Sequence, residues 1–64
     1  MKLQNKIAVV TGAASGIGAR AAIRLAGEGA SLFLMDVNSD GLAETRAQIL
    51  AAGGQAQAKS KYKQ

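Results

Sequence analysis

The stretch VVTGAASGIGARAA, residues 9–22, constrains this chain more than any other. An apolar run enters three unevenly spaced glycines, Gly12, Gly16 and Gly18, and an Ala/Arg-rich segment leaves them. Before the glycines, KIAVVT (6–11) is a compact β-branched run, as expected of a strand buried on both faces of a parallel sheet. After them, IGARAAIRLAGEG places Ile17, Ala21 and Leu25 on one face of a predicted helix, with Arg20, Arg24 and Glu28 as a row available to water. The glycines therefore sit where a strand hands over to a helix. A helix N-terminus carries unpaired N–H groups and partial positive charge, which suits a phosphate. Glycine lets the backbone turn tightly and approach a pyrophosphate without a Cβ in the way, and Gly18 would let the helix pack closely on the sheet. The hydroxyls of Thr11 and Ser15 are placed to tie the loop or to contact a ligand.

The alternation continues down the chain. Gly29 is placed to stop the first helix in a left-handed conformation. ASLFLMD (30–36) predicts a second strand ending on a carboxylate, Asp36. VNSDGLAETRAQILAAGG predicts a second helix, with Asn38 or Ser39 as N-cap and Asp40 and Glu44 in its early turns. Its apolar row runs through Leu42, Ile49 and Leu50, and Gly53-Gly54 stops it. QAQAK alternates weakly and is a possible third strand with little to bury. Strand, helix, strand, helix in this order predicts an α/β fold: a partial Rossmann fold, βαβα with a possible third strand, on a parallel sheet. Asp36 follows Gly18 by 18 residues, near the spacing of a ribose-binding acid in such folds. A carboxylate there accepts hydrogen bonds from both adenosine ribose hydroxyls and repels a 2′-phosphate.

Composition closes other chemistries. Neither cysteine nor histidine is present, which removes disulfides, thiolate or imidazole metal ligands and histidine-activated nucleophiles. No metal site is expected. DVNSDG (36–41) matches half of a calcium loop, but the loop's twelfth position is Ala47 and its eighth is Ala43. A Walker loop fails because Ile17 follows Gly16 where lysine is required. The apolar runs are far too short to span a membrane, and the opening MKLQNKIAVVTG lacks a signal-peptide core, so a cytoplasmic protein is expected. The net charge is +4, yet three of the eight basic residues lie in the final KSKYKQ; residues 1–58 carry five basic against four acidic residues. Nucleic acid is accordingly not an expected partner. A chain of 64 residues buries only about 60% of its unfolded surface, so marginal stability and association through open sheet edges are expected.

TGAASGIG resembles the Thr-Gly-x-x-x-Gly-x-Gly cofactor motif of the classical short-chain dehydrogenase/reductase family, and the resemblance runs from residue 6 to about 58 through LAGEGA, LMDVN and AAGGQA. It implies the N-terminal part, residues 1–58, of a Rossmann domain that is doubly wound in the complete family fold, followed by a basic tail, 59–64, unlike the family. It further implies that Gly12, Ser15, Gly16, Ile17 and Gly18 hold the phosphates of a dinucleotide and Asp36 its adenosine ribose. Family members that prefer NADP often carry a basic residue at the positions matching Ser15 or Val37; neither is basic here, so NAD is the expected cofactor. The family's reaction is NAD-dependent alcohol-carbonyl oxidoreduction by hydride transfer. Its catalytic tyrosine, with a lysine four residues later, has no match: Tyr62 stands directly beside Lys63. The acid that usually follows the third strand and flanks the adenine is absent as well. No catalytic residue is therefore assigned, the chain alone is expected to be inactive, and its substrate is not legible. Two other functions fit the same residues: a nucleotide-binding module without chemistry, and an interaction fragment whose sheet is completed by another chain or by the remainder of the fold.

Overall fold

A computed structural model describes residues 2–60. Its elements are β1 (Ile7–Thr11), α1 (Gly16–Gly27), β2 (Ser31–Asp36), α2 (Ser39–Ala51) and β3 (Gln55–Ser60). The weakly alternating QAQAKS thus does form a strand. The tail residues 61–64, including Tyr62 and Lys63, lie outside the described residues.

Among the described residues all pairing is parallel, in the order β1-β2-β3, with Ile7 opposite Ser31 and Ser31 opposite Gln55. The two helices touch each other and the strands, and the core lies between them and the sheet. Leu32 and Leu34 of β2, Ala56 of β3, Ala22 of α1 and Leu42 and Ile49 of α2 are buried there, with Ala8 and Val10 of β1 packed against them. Leu34, Leu42 and Ile49 are the largest fully buried side chains, each stabilising by roughly 1.5–3 kcal/mol relative to exposure. The remaining buried hydrophobics are alanines and Leu32, so this core is thin.

Three expectations are corrected. β1 is not buried on both faces: Ile7 is 80% and Val9 62% exposed. Strand side chains alternate between faces, and α1 and α2 pack together against the one that carries Ala8 and Val10. The packed face of α1 is not Ile17-Ala21-Leu25, because Ile17 is 88% exposed and Ala21 is exposed too. Ala22 is buried, with Leu25 and Ala26 beside it, a rotation that brings small residues onto the sheet. In α2, Leu50 is exposed and Thr45 joins Leu42 and Ile49 on the buried face. Thr45 is three residues from Leu42 and four from Ile49, which is the spacing one helical face requires.

The helix ends follow the sequence. Asn38 caps α2, its side-chain oxygen accepting from the Gly41 N–H at 3.1 Å. Gly29 and Gly53 take positive φ just beyond the two helices. The N-terminal turn is held to the end of α1, where the Leu3 N–H donates to the Glu28 carbonyl at 2.7 Å. Among the described residues, no helix is long and apolar enough to cross a membrane.

Candidate functional site

The C-terminal ends of β1 and β2 lie side by side, Thr11 opposite Met35, so the glycine turn after β1 and Asp36 at the end of β2 share one edge of the sheet. Gly12 (φ 66°) and Gly16 (φ 42°) lie in the left-handed region, where a Cβ costs roughly 1–2 kcal/mol. A Cβ at either would touch nothing within 4 Å, so their requirement is conformational and the space beside them is open. Gly18 differs. A Cβ there would fall on the carbonyl oxygen of Gly12 and 2.7 Å from its carbon, so the first turn of α1 reaches its position only without a side chain.

This close approach fixes where the helix begins. Its first hydrogen bond onto the turn runs from the Ala19 N–H to the Ser15 carbonyl, 3.1 Å. Ser15 is the N-cap, in an extended conformation, and its side chain makes no capping bond. Among the described residues no acceptor of the chain takes the N–H groups of Gly16, Ile17 and Gly18. Three donors at the positive end of α1 thus remain for something else.

Two other amides of the turn do have acceptors. The Ala13 N–H donates to the Met35 carbonyl at 3.1 Å, and the Ala14 N–H to Asp36 Oδ2 at 2.9 Å. Asp36 Oδ1 accepts from the Asn38 N–H at 3.0 Å. The amides of Asn38 and then Ala14, with a smaller share from Val37, hold the Asp36 carboxyl below the ordinary carboxylate range, against an opposing desolvation effect. At neutral pH it is ionised and acceptor-only. With about two acceptor positions on each oxygen and one used, each oxygen retains capacity for a further donor.

All six residues singled out in the sequence are therefore near one corner: Gly12, Ser15, Gly16, Ile17 and Gly18 form the turn and helix start, and Asp36 is bonded to the turn itself. Thr11 and Ser15 make no side-chain hydrogen bond among the described residues. Sequence reasoning missed the Ala14 amide and Thr45, whose Oγ1 lies 2.9 Å from the Ala13 carbonyl. The signal for Thr45 was present: a hydroxyl in the apolar row of α2. The residues of the corner are mostly exposed or half-buried, Ala13 being buried. Grooves of about 440 Å³ between α2 and β3, and about 410 Å³ at the opposite end of the sheet, do not include it.

Parallel βαβαβ topology with a glycine turn at the first strand-helix junction defines a Rossmann-like unit. The sequence profile described as short chain dehydrogenase matches residues 6–61, and the chain belongs to that family. An oxidoreductase of Bacillus subtilis (strain 168), YxbG, is 48% identical over 56 residues, which are 88% of this chain and 20% of that protein. A metagenomic short-chain oxidoreductase solved in complex with NADP superposes with a TM-score of 0.92 at 37% identity, covering 97% of this chain and 28% of the other. A 7α-hydroxysteroid dehydrogenase complexed with NADH and 7-oxo glycochenodeoxycholic acid gives 0.92 at 39% identity, covering 95% and 24%. The chain spans about a fifth of the length of the curated relatives it matches.

Proposed function

We propose that this chain supplies the diphosphate- and adenosine-ribose-binding part of a nicotinamide dinucleotide site, serving alcohol-carbonyl oxidoreduction, with NAD favoured over NADP. The observation that carries this reading is the pairing of two features on one sheet edge: three N–H groups of α1 left without acceptors, and an ionised Asp36 bonded to the same turn. Gly16, Ile17 and Gly18 would donate to the diphosphate, Gly12 and Gly16 would leave its approach open, and the Ser15 hydroxyl would add a donor. Asp36 would accept from the ribose hydroxyls on its remaining lone pairs. A 2′-phosphate would meet that charge, and the exposed Val37 beside it offers no cation in compensation. Neighbouring structures hold NADP in one case and NADH in another, so the preference rests on Asp36 and on the lack of a basic residue at Ser15 and Val37. When bound, the nicotinamide carries the hydride; this segment contributes orientation.

Calorimetric titration with NAD, NADP and ADP-ribose tests the reading. Binding of NAD and ADP-ribose, with NADP weaker by tenfold or more, is expected at about 1.4 kcal/mol per tenfold. Equal affinity for NADP would overturn the preference, and no binding of any of the three would overturn the site.

The open sheet face favours a second property. Ile7 and Val9 are exposed on the side away from the helices, and the partly buried Phe33 lies opposite Val9 in the register. We propose that this face is covered by association, with another copy or with the polypeptide that completes the sheet. Sedimentation velocity across a concentration series tests self-association; a monomer throughout would exclude it.

A further inference from the structure

We propose that Thr45, a residue of α2 that no ligand would touch, is a positioning residue for the glycine turn and thereby sets the affinity of the site for a diphosphate; this rests on the reading of that turn as a dinucleotide site. Thr45 is the one polar side chain buried among the described residues, at 3% exposure. Its hydroxyl lies 2.9 Å from the Ala13 carbonyl, across 32 residues of sequence, and 3.2 Å from the Gly41 carbonyl in its own helix. A single hydroxyl hydrogen serves both, and the shorter contact is the one to the turn. Ala13 itself is fully buried, and no backbone N–H outside the helices and strands donates to its carbonyl, so Thr45 is its donor.

The remaining contacts show why this bond matters for the helix start. The Ala13 N–H is held by Met35 and the Ala14 N–H by Asp36, both from the β2 side. From the α2 side, Thr45 holds the Ala13 carbonyl, and Gly41 lies so close to Ala14 that a Cβ would stand 2.7 Å from the Ala14 carbonyl oxygen and 3.0 Å from its Cβ. The two peptides that precede Ser15 are thus clamped between β2 and α2. Without the hydroxyl the Ala13 carbonyl is a buried acceptor lacking its donor, and the turn relieves that cost by moving. Movement at residues 13–14 carries directly into Gly16, Ile17 and Gly18, whose amides must converge on one ligand.

The test compares the full chain with Thr45→Val, which keeps the shape and removes the hydroxyl, and Thr45→Ser, which restores it. Ile49→Val serves as a control that weakens the core away from the turn. Two quantities are read: amide hydrogen exchange at Ala14 relative to Leu34, and the Kd of ADP-ribose by calorimetry. Thr45→Val is expected to speed relative exchange at Ala14 and to raise Kd, each by about tenfold, the loss of one buried hydrogen bond. Thr45→Ser should return both to within about threefold, and Ile49→Val should leave both ratios unchanged. Should Thr45→Val not fold, Thr45→Ala replaces it: it removes the same hydroxyl, and its exchange ratio and ADP-ribose Kd are expected to rise as for Thr45→Val. Unchanged exchange and affinity in the variant overturn the proposal, as does faster exchange with unchanged affinity, or an equal response from Ile49→Val. If the unsubstituted chain binds no ADP-ribose, the dinucleotide reading fails, and the exchange ratio alone decides whether Thr45 holds the turn.

Discussion

Replacing Gly18 by alanine is the sharpest perturbation of the site. The new Cβ would fall on the Gly12 carbonyl oxygen and 2.7 Å from the carbonyl carbon. Ordinary contact begins near 3.4 Å, so relief from the carbon alone demands a displacement of 0.7 Å, the difference of the two distances. Both partners are backbone, and no rotamer can absorb it. Overpacking of this kind typically costs about 1–3 kcal/mol, which exceeds the roughly 1 kcal/mol that alanine gains over glycine in a helix. The shift also takes the Ile17 and Gly18 amides off their common target. Losing one hydrogen bond to a charged group, about 1.5–3 kcal/mol, raises Kd by roughly ten- to 150-fold. Calorimetry with ADP-ribose and thermal unfolding by circular dichroism read the two effects separately. Gly27→Ala is the internal comparison, because a Cβ there meets nothing within 4 Å and its φ is not positive. It should stabilise the chain by about 0.5–1 kcal/mol and leave affinity unchanged. A Gly18→Ala chain that binds and melts like the Gly27→Ala chain would refute the packing argument.

Other substitutions test neighbouring steps. Asp36→Ala should bring NADP affinity up towards that of NAD, measured by parallel titrations, because the charge opposed to the 2′-phosphate is gone. The Asp36 carboxyl is held below its ordinary value of 3.8, so its ties to Ala14 and Asn38 are fully present above that value and are lost as pH falls through the lower value of the folded state. Acid titration followed by NMR should show the Ala14 and Asn38 amides moving together only in that low range, and the Asp36→Asn chain should lack the transition. Val9→Lys, on the uncovered face, should reduce self-association in sedimentation velocity while the far-ultraviolet spectrum stays the same.

The alternation of strands and helices was legible because each element carries its own signal: the β-branched IAVVT, the asparagine cap before α2, the glycines at both helix ends. What misled was depth. A run such as IAVVT is the pattern of a strand covered twice, and the local sequence holds no record of how many layers surround it. The face of α1 was misread for a related reason. Ile17 has the larger side chain, but the close packing that Gly18 permits brings Ala22 to the sheet and leaves Ile17 outside. Gly12, Gly16, Gly18 and Asp36 were legible because backbone geometry and charge at a strand end restrict the residue type. The bond from Thr45 to Ala13 was not, since it joins residues 32 apart and depends on how α2 docks.

The central claim is that the exposed amides at the start of α1 receive a diphosphate, and amide chemical-shift mapping during titration with ADP-ribose tests it most directly. The account predicts that Gly16, Ile17 and Gly18 move first and furthest, with Ala14 following through Asp36. Shifts centred instead on the groove between α2 and β3, around Arg46 and Gln57, with the amides of α1 unmoved, would contradict it.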